Sequence, residues 1–428
     1  MSKLVIKNGR VIDPSANIDR IADVAIEAGV IREVGANLNA TGAETFDASG
    51  LIVAPGFVDI HVHLREPGFE HSETIESGSR AAAAGGFTSI CCMPNTQPVN
   101  DNATVTSYIV ERARRCAVVN VYPIGAITKN SAGEELAAFA SMKQAGIVAI
   151  SDDGKPVMNA RIVRHAMEFA RALDMPLIEH CEDLHLSFGG DMHEGLLSTR
   201  LGLRGIPRCS EDVMVARDIL LAEVTGVRYH VAHISSHIAV QMVAFAKSRG
   251  IKVTSEATPH HFVLADSDMP PYDSNYKMKP PLRETPDVKA VTQGLISGAI
   301  DAIATDHAPH PGDEKMQEFE RCPFGIIGFE TALALALEQL YHPGHVDIAH
   351  IVKLFTVNPA RILSLNHGTL RTGAPGDLTI FSTDHEWTYD VGKSPSKSRN
   401  SPFHARKFKG GPVATIVAGQ LVWRLGND

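Results

Sequence analysis

From about residue 55 to residue 365 the chain alternates short apolar runs with helix-like stretches, and it does so eight times. The apolar runs are GFVDIHVH (56–63), GFTSICCMPN (86–95), VVNVYPIGAI (118–127), IVAISDD (147–153), PLIEHC (176–181), RYHVAHIS (228–235), KVTSEATPHH (252–261) and IDAIATDHAPH (300–310). Between them lie pieces such as SYIVERARRC, ARIVRHAMEFARAL, CSEDVMVARDILLAEVTG and HIAVQMVAFAKSRG, several of which stop at glycine, a common helix terminator. Eight strand–helix units over this length predict an α/β fold, a (β/α)8 TIM-like barrel. An open doubly wound sheet competes with it, but no glycine-rich phosphate loop follows the first strand.

The two ends have a different texture. Residues 3–53 read as short strands with hairpin signals at Asn8-Gly9 and around Gly29. GDLTIFSTD and PVATIVAGQLVWR near the C-terminus look the same, with a turn at Ala418-Gly419. Because chain termini often lie close together, the prediction is a small β-sandwich domain built from residues 1–54 plus 366–428, beside a barrel domain of residues 55–365.

The apolar runs finish in polar residues. The first contains Asp59-Ile60-His61-Val62-His63-Leu64-Arg65. Strand alternation puts His61 and His63 on one face, with Arg65 continuing the row. The second run ends at Asn95, the fourth at Asp152-Asp153, the fifth at His180 and the sixth at His233. The eighth ends at Asp306, with His307 and His310 just beyond. In a barrel these ends converge on the rim that carries active sites. A single strand-end histidine is ordinarily a hydrogen-bonded structural residue, and Asp152-Asp153 before Gly154 could be a plain turn. Four histidines and two aspartates at the same end of five strands are far less expected by chance. His230 is expected to face the other layer. His260 and His261 are placed near the pocket by position alone.

Imidazole and carboxylate without thiolate suit Zn, Mn, Fe or Co and disfavour an iron–sulfur cluster. Six ligands exceed what one hydrolytic ion needs, and two ions sharing a bridging carboxylate use them naturally. The formal net charge of -9 argues against an electrostatic nucleic-acid binder. There is no run of about 18 apolar residues and no charged-then-apolar leader, so a soluble, cytoplasmic, non-membrane protein is expected. The six cysteines are scattered and read as buried, reduced thiols.

PGFVDIHVHLREPG, MPNTQPV, SDDG, EHCED, HIS, KPPLR, ATDHAPH and PFGIIGFET occur in that order. Together they closely resemble the longer, bacterial type (class I) of dihydroorotase in the amidohydrolase superfamily, from about residue 4 to residue 424. His-x-His alone says only amidohydrolase-like; HLREPG, SDDG and TDHAPH in sequence are specific to the dihydroorotase branch. The resemblance implies reversible cyclisation of N-carbamoyl-L-aspartate to (S)-dihydroorotate in pyrimidine synthesis. It implies two Zn2+ per subunit on His61, His63, Asp153, His180, His233 and Asp306, with Asp153 as the bridge. No lysine ends the fourth run (Lys155 is two residues further on), so the bridge is read as a carboxylate and not a carboxylated lysine. Asp306 is implied as the catalytic proton carrier. His63, Arg65, Asn95, His310, Phe324 and Gly325 are implied as substrate contacts, Arg65 with Asn95 and His310 gripping the ring carboxylate. A homodimer is expected, with association with aspartate transcarbamoylase as a further possibility.

One position departs from the resemblance. Relatives often read NPPLR where this chain has Lys279-Pro280-Pro281-Leu282-Arg283, so the asparagine contact is open here. The alternatives are a hydantoinase, dihydropyrimidinase or allantoinase, whose substrates lack the ring carboxylate, or a non-catalytic scaffold for aspartate transcarbamoylase. Residues 311–322 are expected to form a mobile loop over the pocket.

Overall fold

The computed structural model describes residues 3–426. The outermost residues of the division expected from sequence, 1–2 and 427–428, lie outside the described residues. The chain opens with β1 (Lys3–Asp13), β2 (Ile18–Glu27), β3 (Val30–Gly35), β4 (Glu44–Asp47) and β5 (Ile52–Pro55). The barrel strands follow: β6 (Phe57–Val62), β7 (Phe87–Cys92), β8 (Asn120–Pro123) and β9 (Leu177–Glu179). A short parallel pair, β10 (Met192–His193) and β11 (Gly205–Ile206), interrupts the series. Then come β12 (Tyr229–Val231), β13 (Val253–Ala257) and β14 (Ala302–Ile303), and finally β15 (Leu378–Thr388), β16 (Lys407–Val417) and β17 (Gln420–Arg424).

The barrel closes with eight staves. β6, β7 and β8 pair in parallel, as do β9, β12, β13 and β14. The fourth stave is reduced to one bridging residue, Ile150, which pairs with Gly125 on one side and Leu177 on the other. A bridge between Val62 and His307 joins the eighth stave to the first. The strands are largely apolar because both faces are buried, and the polar residues they do carry are themselves mostly buried. Val58, Ile60, Cys91, Met93, Ile124, Ala149, Ile178, Ala232, Ala302 and Ala304 form one buried cluster inside the barrel. Phe57, Ile90, Leu177, Tyr229 and Val231, which alternate with these, pack against the helices, as do Val62 and Phe87 beyond register shifts between β6 and β7. The helix Val357–Ile362 adds Ala360 and Ile362 to the inner cluster.

β1–β5 and β15–β17 form one eight-stranded sheet drawn from both ends of the chain. β5 links the two sets, pairing parallel with β1 and antiparallel with β15. Leu4, Ile6, Val11, Val24, Ile26, Val53, Leu378, Ile380, Ala414 and Ile416 make a core of their own beneath it. Ile12, Ile52, Ala54 and Phe381 instead join the barrel core. The turns at Ala28-Gly29 and Ala418-Gly419 occur as expected, each with two successive positive φ angles. Asn8-Gly9 is no hairpin. Asn8 has φ 62 and sits inside β1, where the register with β2 shifts between Ile6 and Gly9. This is a bulge, which uses the same left-handed residue preference as a turn. Of the cysteines, Cys91, Cys92, Cys181 and Cys322 are buried, Cys116 is half-buried, and Cys209 is exposed, contrary to the expectation of buried thiols throughout.

Candidate active site

The loop after β6 carries the first polar group. β6 stops at Val62, so Arg65 does not continue a strand row: it sits in the following loop with φ 60. The loop holds Arg65 by local geometry. Gly68, at φ 101, lies so close to Gln97 that an added Cβ would come 2.2 Å from the Gln97 carbonyl oxygen. The Arg65 guanidinium donates from Nε to the Pro309 carbonyl (3.3 Å) and from Nη2 to His310 Nε2 (3.2 Å). Burial and the Arg65 charge push His310 down to a pKa of about 2, so its ring is neutral. Nε2 then accepts, and the proton sits on Nδ1 towards Glu314 (3.3 Å).

Asp59 closes the barrel beneath the site. Its carboxylate accepts from the Thr305 main-chain N–H and hydroxyl and from His61 N–H, joining the first stave to the eighth. Burial pushes it up to a pKa of about 7. Asp152 accepts from the Ile127 and Thr128 N–H groups (2.8 and 3.0 Å), which leaves the neighbouring Asp153 as the carboxylate of this segment that meets the histidines.

His61, His63, Asp153, His180, His233 and Asp306 converge. His61 Nε2 lies 3.3 Å from Asp153 Oδ1 and 3.6 Å from Asp306 Oδ1. His63 Nε2 lies 2.9 Å from Asp306 Oδ1 and 3.5 Å from Asp153 Oδ2. His180 Nδ1 and His233 Nε2 are each 3.6 Å from Asp153 Oδ1 and 2.8 Å from each other. Three ligand triads overlap: His61, His63 and Asp153; Asp153, His180 and His233; His61, His233 and Asp306. All six side chains are buried. His233 (φ 30) and Asp306 (φ 47), like Arg65, hold left-handed backbone that non-glycine residues rarely adopt, as is common at functional sites.

The donor set fits metal ions. His61 Nε2 and Asp153 Oδ1 are buried without a hydrogen-bond partner. The 2.8 Å contact between His180 and His233 needs a proton or a cation between two ring nitrogens. Burial alone would keep His61 neutral, but Asp153, Glu256 and Asp306 outweigh it and hold its pKa well above the ordinary histidine value. Burial likewise opposes ionisation of Asp153 and Asp306. The surrounding imidazoles, His61 foremost, outweigh it and hold both carboxyls well below the usual range. The carboxylates and imidazoles are thus electrostatically complementary, and the fit to a cation rests on the unpartnered His61 Nε2 and Asp153 Oδ1 and the close approach of His180 to His233.

The outer nitrogens are held as well. His61 Nδ1 is 2.6 Å from Glu256 Oε1, His63 Nδ1 is 2.9 Å from Asn95 Oδ1, and His180 Nε2 is 3.1 Å from Glu182 Oε2. Such partners fix ring orientation and tautomer. Asn95 therefore touches His63 directly. His230, expected on the other layer, instead points to Glu256 Oε2 (3.3 Å), one stave away. Sequence reasoning missed Glu256 and Glu182; the only signal was an acid inside a buried strand, VTSEA, and one two residues past His180. His260 is buried with Nε2 unpartnered, whereas His261 is tied to Thr258 and the Pro280 carbonyl.

Residues 311–322 are more firmly held than a free loop. Gly312–Lys315 is a helical turn, and buried Lys315 donates to the Pro323 and Gly325 carbonyls (2.9 and 3.2 Å). Buried Lys277 donates to the Phe319 and Glu320 carbonyls (2.5 and 3.2 Å). Phe324 lies under both Lys277 and Lys279, 4.5 and 4.8 Å from ring centre to Nζ. Gly325, at φ 129, packs so tightly that an added Cβ would sit 2.7 Å from Ala308 Cβ.

Comparison with known proteins adds relatives. A family model described as Dihydro-orotase-like matches residues 50–239. A protein named Dihydroorotase from Solibacter usitatus (strain Ellin6076) is 70% identical over 420 residues, 98% of each chain. One of the same name from Pelotomaculum thermopropionicum is 53% identical over 420 residues, again 98% of each chain. Among solved structures, L-hydantoinase (dihydropyrimidinase) from Arthrobacter aurescens superposes with a TM-score of 0.88 at 24% identity, covering 100% of this chain and 97% of that one. At that identity the likeness speaks for the fold alone: a TIM barrel with a β-sandwich unit.

Proposed function

We infer the residue roles below from one premise: this chain belongs to the dihydroorotase family, and it is a cyclic-amide hydrolase of that kind. The reaction inferred is the reversible conversion of N-carbamoyl-L-aspartate to (S)-dihydroorotate and water. The observation that supports a two-ion centre is Asp153, whose carboxylate is common to two of the ligand triads. His61, His63 and Asp306 would hold one Zn2+ and His180 and His233 the other, with Asp153 between them. Bound zinc would polarise the ring carbonyl and acidify water to a pKa of about 7.

The chain's own groups do the rest. Water oxygen adds to the ring carbonyl carbon, and the bond from that carbon to the ring amide nitrogen breaks. Asp306, kept ionised by its imidazole neighbours, takes the proton of the attacking water at a carboxylate oxygen. It delivers that proton to the leaving nitrogen; in the reverse direction it removes it from the ureido nitrogen. Arg65 receives the ring carboxylate. Only two of its five N–H donors are used within the described residues, which leaves a fork for a carboxylate. Neutral His310 orients that fork from behind. Asn95 keeps His63 in place through Oδ1 and has its amide N–H groups for the substrate. Phe324 and Gly325 bound the pocket on the side of the 311–325 segment.

No helix among the described residues is long and apolar enough to cross a membrane. A cytoplasmic homodimer, with or without aspartate transcarbamoylase, is the assembly this reading carries, and light scattering on the purified protein alone and mixed with that enzyme tests it. The activity is tested by parallel assays on dihydroorotate, hydantoin and allantoin with zinc-loaded protein. Turnover confined to dihydroorotate is expected. Faster turnover of hydantoin would remove the carboxylate clamp from the reading, and a metal-free, inactive protein would favour a scaffold.

A further inference from the structure

Three of the clustered histidines, His61, His63 and His233, present Nε2 to the centre, whereas His180 presents Nδ1. A neutral imidazole has one lone pair, and the position of its single proton decides which nitrogen can act as a ligand. For His180 that choice is made outside the cluster. Its Nε2 faces Glu182 Oε2 at 3.1 Å. A carboxylate can only accept, so Nε2 must carry the proton and Nδ1 is left with the lone pair.

Glu182 is itself buried, at 9% side-chain exposure, and a buried carboxylate needs a partner. Lys279 provides one, with Nζ 2.9 Å from Oε1 and 3.2 Å from Oε2. The same ammonium lies 4.8 Å above the Phe324 ring, so it is held from two sides. An uncharged amide there could not supply the positive charge that faces Glu182.

We propose that Glu182, clamped by Lys279, is a positioning residue that fixes His180 as an Nδ1 ligand. The inference rests on the metal-centre reading above. It places a three-residue chain, Lys279 to Glu182 to His180, behind one half of the centre, and it joins that half to the segment carrying Phe324.

The test counts metal, independently of turnover. Full-length protein and variants are loaded with Zn2+ and dialysed against a graded chelator series. Bound zinc per chain is then measured by elemental analysis, and the unfolding midpoint of each metal-free protein serves as the fold control. The wild type is expected to hold two ions. Glu182→Ala is expected to lose one of them first, with its affinity down about 10–100-fold. Lys279→Met should move the same way by less, and Lys279→Arg should restore retention. Should Glu182→Ala fail to fold, Glu182→Gln carries the test, since its carbonyl can still accept the Nε2 proton without the charge; an intermediate loss is expected. Two ions held at wild-type affinity in both the Glu182 and the Lys279→Met variants would overturn the proposal. A wild type that holds no zinc is a different outcome: it overturns the metal-centre reading, and this inference with it.

Discussion

At the scale of single residues, the proposed roles separate groups that do chemistry from groups that aim them. Asp306 sits 2.9 Å from His63 and its imidazole neighbours hold its carboxyl below the usual range, which suits the base role proposed for it. Asp306→Asn keeps the shape and removes the proton acceptor. Its kcat is expected to fall by at least about 10²-fold, with the circular dichroism unchanged. Near-normal turnover in that variant would strip Asp306 of its role. Arg65→Ala removes a charged two-point contact, worth about 1.5–3 kcal/mol per hydrogen bond. A drop in kcat/KM of about 10²-fold or more is expected, chiefly through KM. An unchanged KM for dihydroorotate would show that the carboxylate binds elsewhere. The six clustered residues were legible in sequence because each stands at the end of an apolar run. Glu256, Glu182 and Asp59 were not, since nothing local distinguishes an acid that meets a histidine from one that meets solvent.

The elements show where local signals mislead. Asn8-Gly9 favours left-handed backbone, and that preference serves a bulge in β1 as well as it serves a turn. Alternation carries Arg65 onto a strand row, but the strand ends at Val62, because a side-chain pattern can run on past the last ladder bond. Both errors come from reading a local signal without its hydrogen-bond partner. β1 also carries a pH-sensitive tie. Asp23 on β2, with 5% side-chain exposure, accepts from Lys7 Nζ (2.5 Å), Asn8 N–H (2.9 Å) and Leu38 N–H (2.9 Å). Burial opposes its ionisation, but these donors outweigh it and hold its pKa below the ordinary value. A lowered folded pKa means the tie is fully present above the unfolded value of about 4 and is lost as pH falls through the folded one. Asp23→Asn should therefore cost about 1.5–3 kcal/mol in denaturant unfolding at pH 7 and much less near pH 3. An equal cost at both values would show that charge at Asp23 is irrelevant.

Across the whole molecule, the end sheet and the barrel share one aromatic junction. Phe57 of β6 stacks on Phe355 at 5.0 Å and meets Phe381 of β15 at 5.9 Å and Phe87 of β7 at 6.1 Å. Phe57 is fully buried, so Phe57→Ala leaves a cavity where sheet and barrel meet. A loss of about 3–5 kcal/mol is expected. The loss should appear in a single unfolding transition, because both units draw on the same core. A variant with two separated transitions would mean that the sheet unfolds independently of the barrel. Residues 391–403 extend the same coupling towards the rim: Ser394 bonds to Glu330, and Asn400 donates to the Ala308 and Gly325 carbonyls (3.0 Å each). None of these contacts had a sequence signal, since each joins residues dozens to hundreds of positions apart.

The sequence alone determined the alternation of strand and helix, the composite sheet made from two ends, and the residue types brought to one rim. These follow from local periodicity, because burial on both faces of a strand and one face of a helix dictates which positions are apolar. Only the tertiary structure decided which nitrogen of each histidine faces the centre. That choice depends on what lies behind each ring: Glu256 behind His61, 195 residues away, Asn95 behind His63, and Glu182 with Lys279 behind His180. A proton on one ring nitrogen excludes a lone pair on it, and folding alone places the acceptor that fixes the proton.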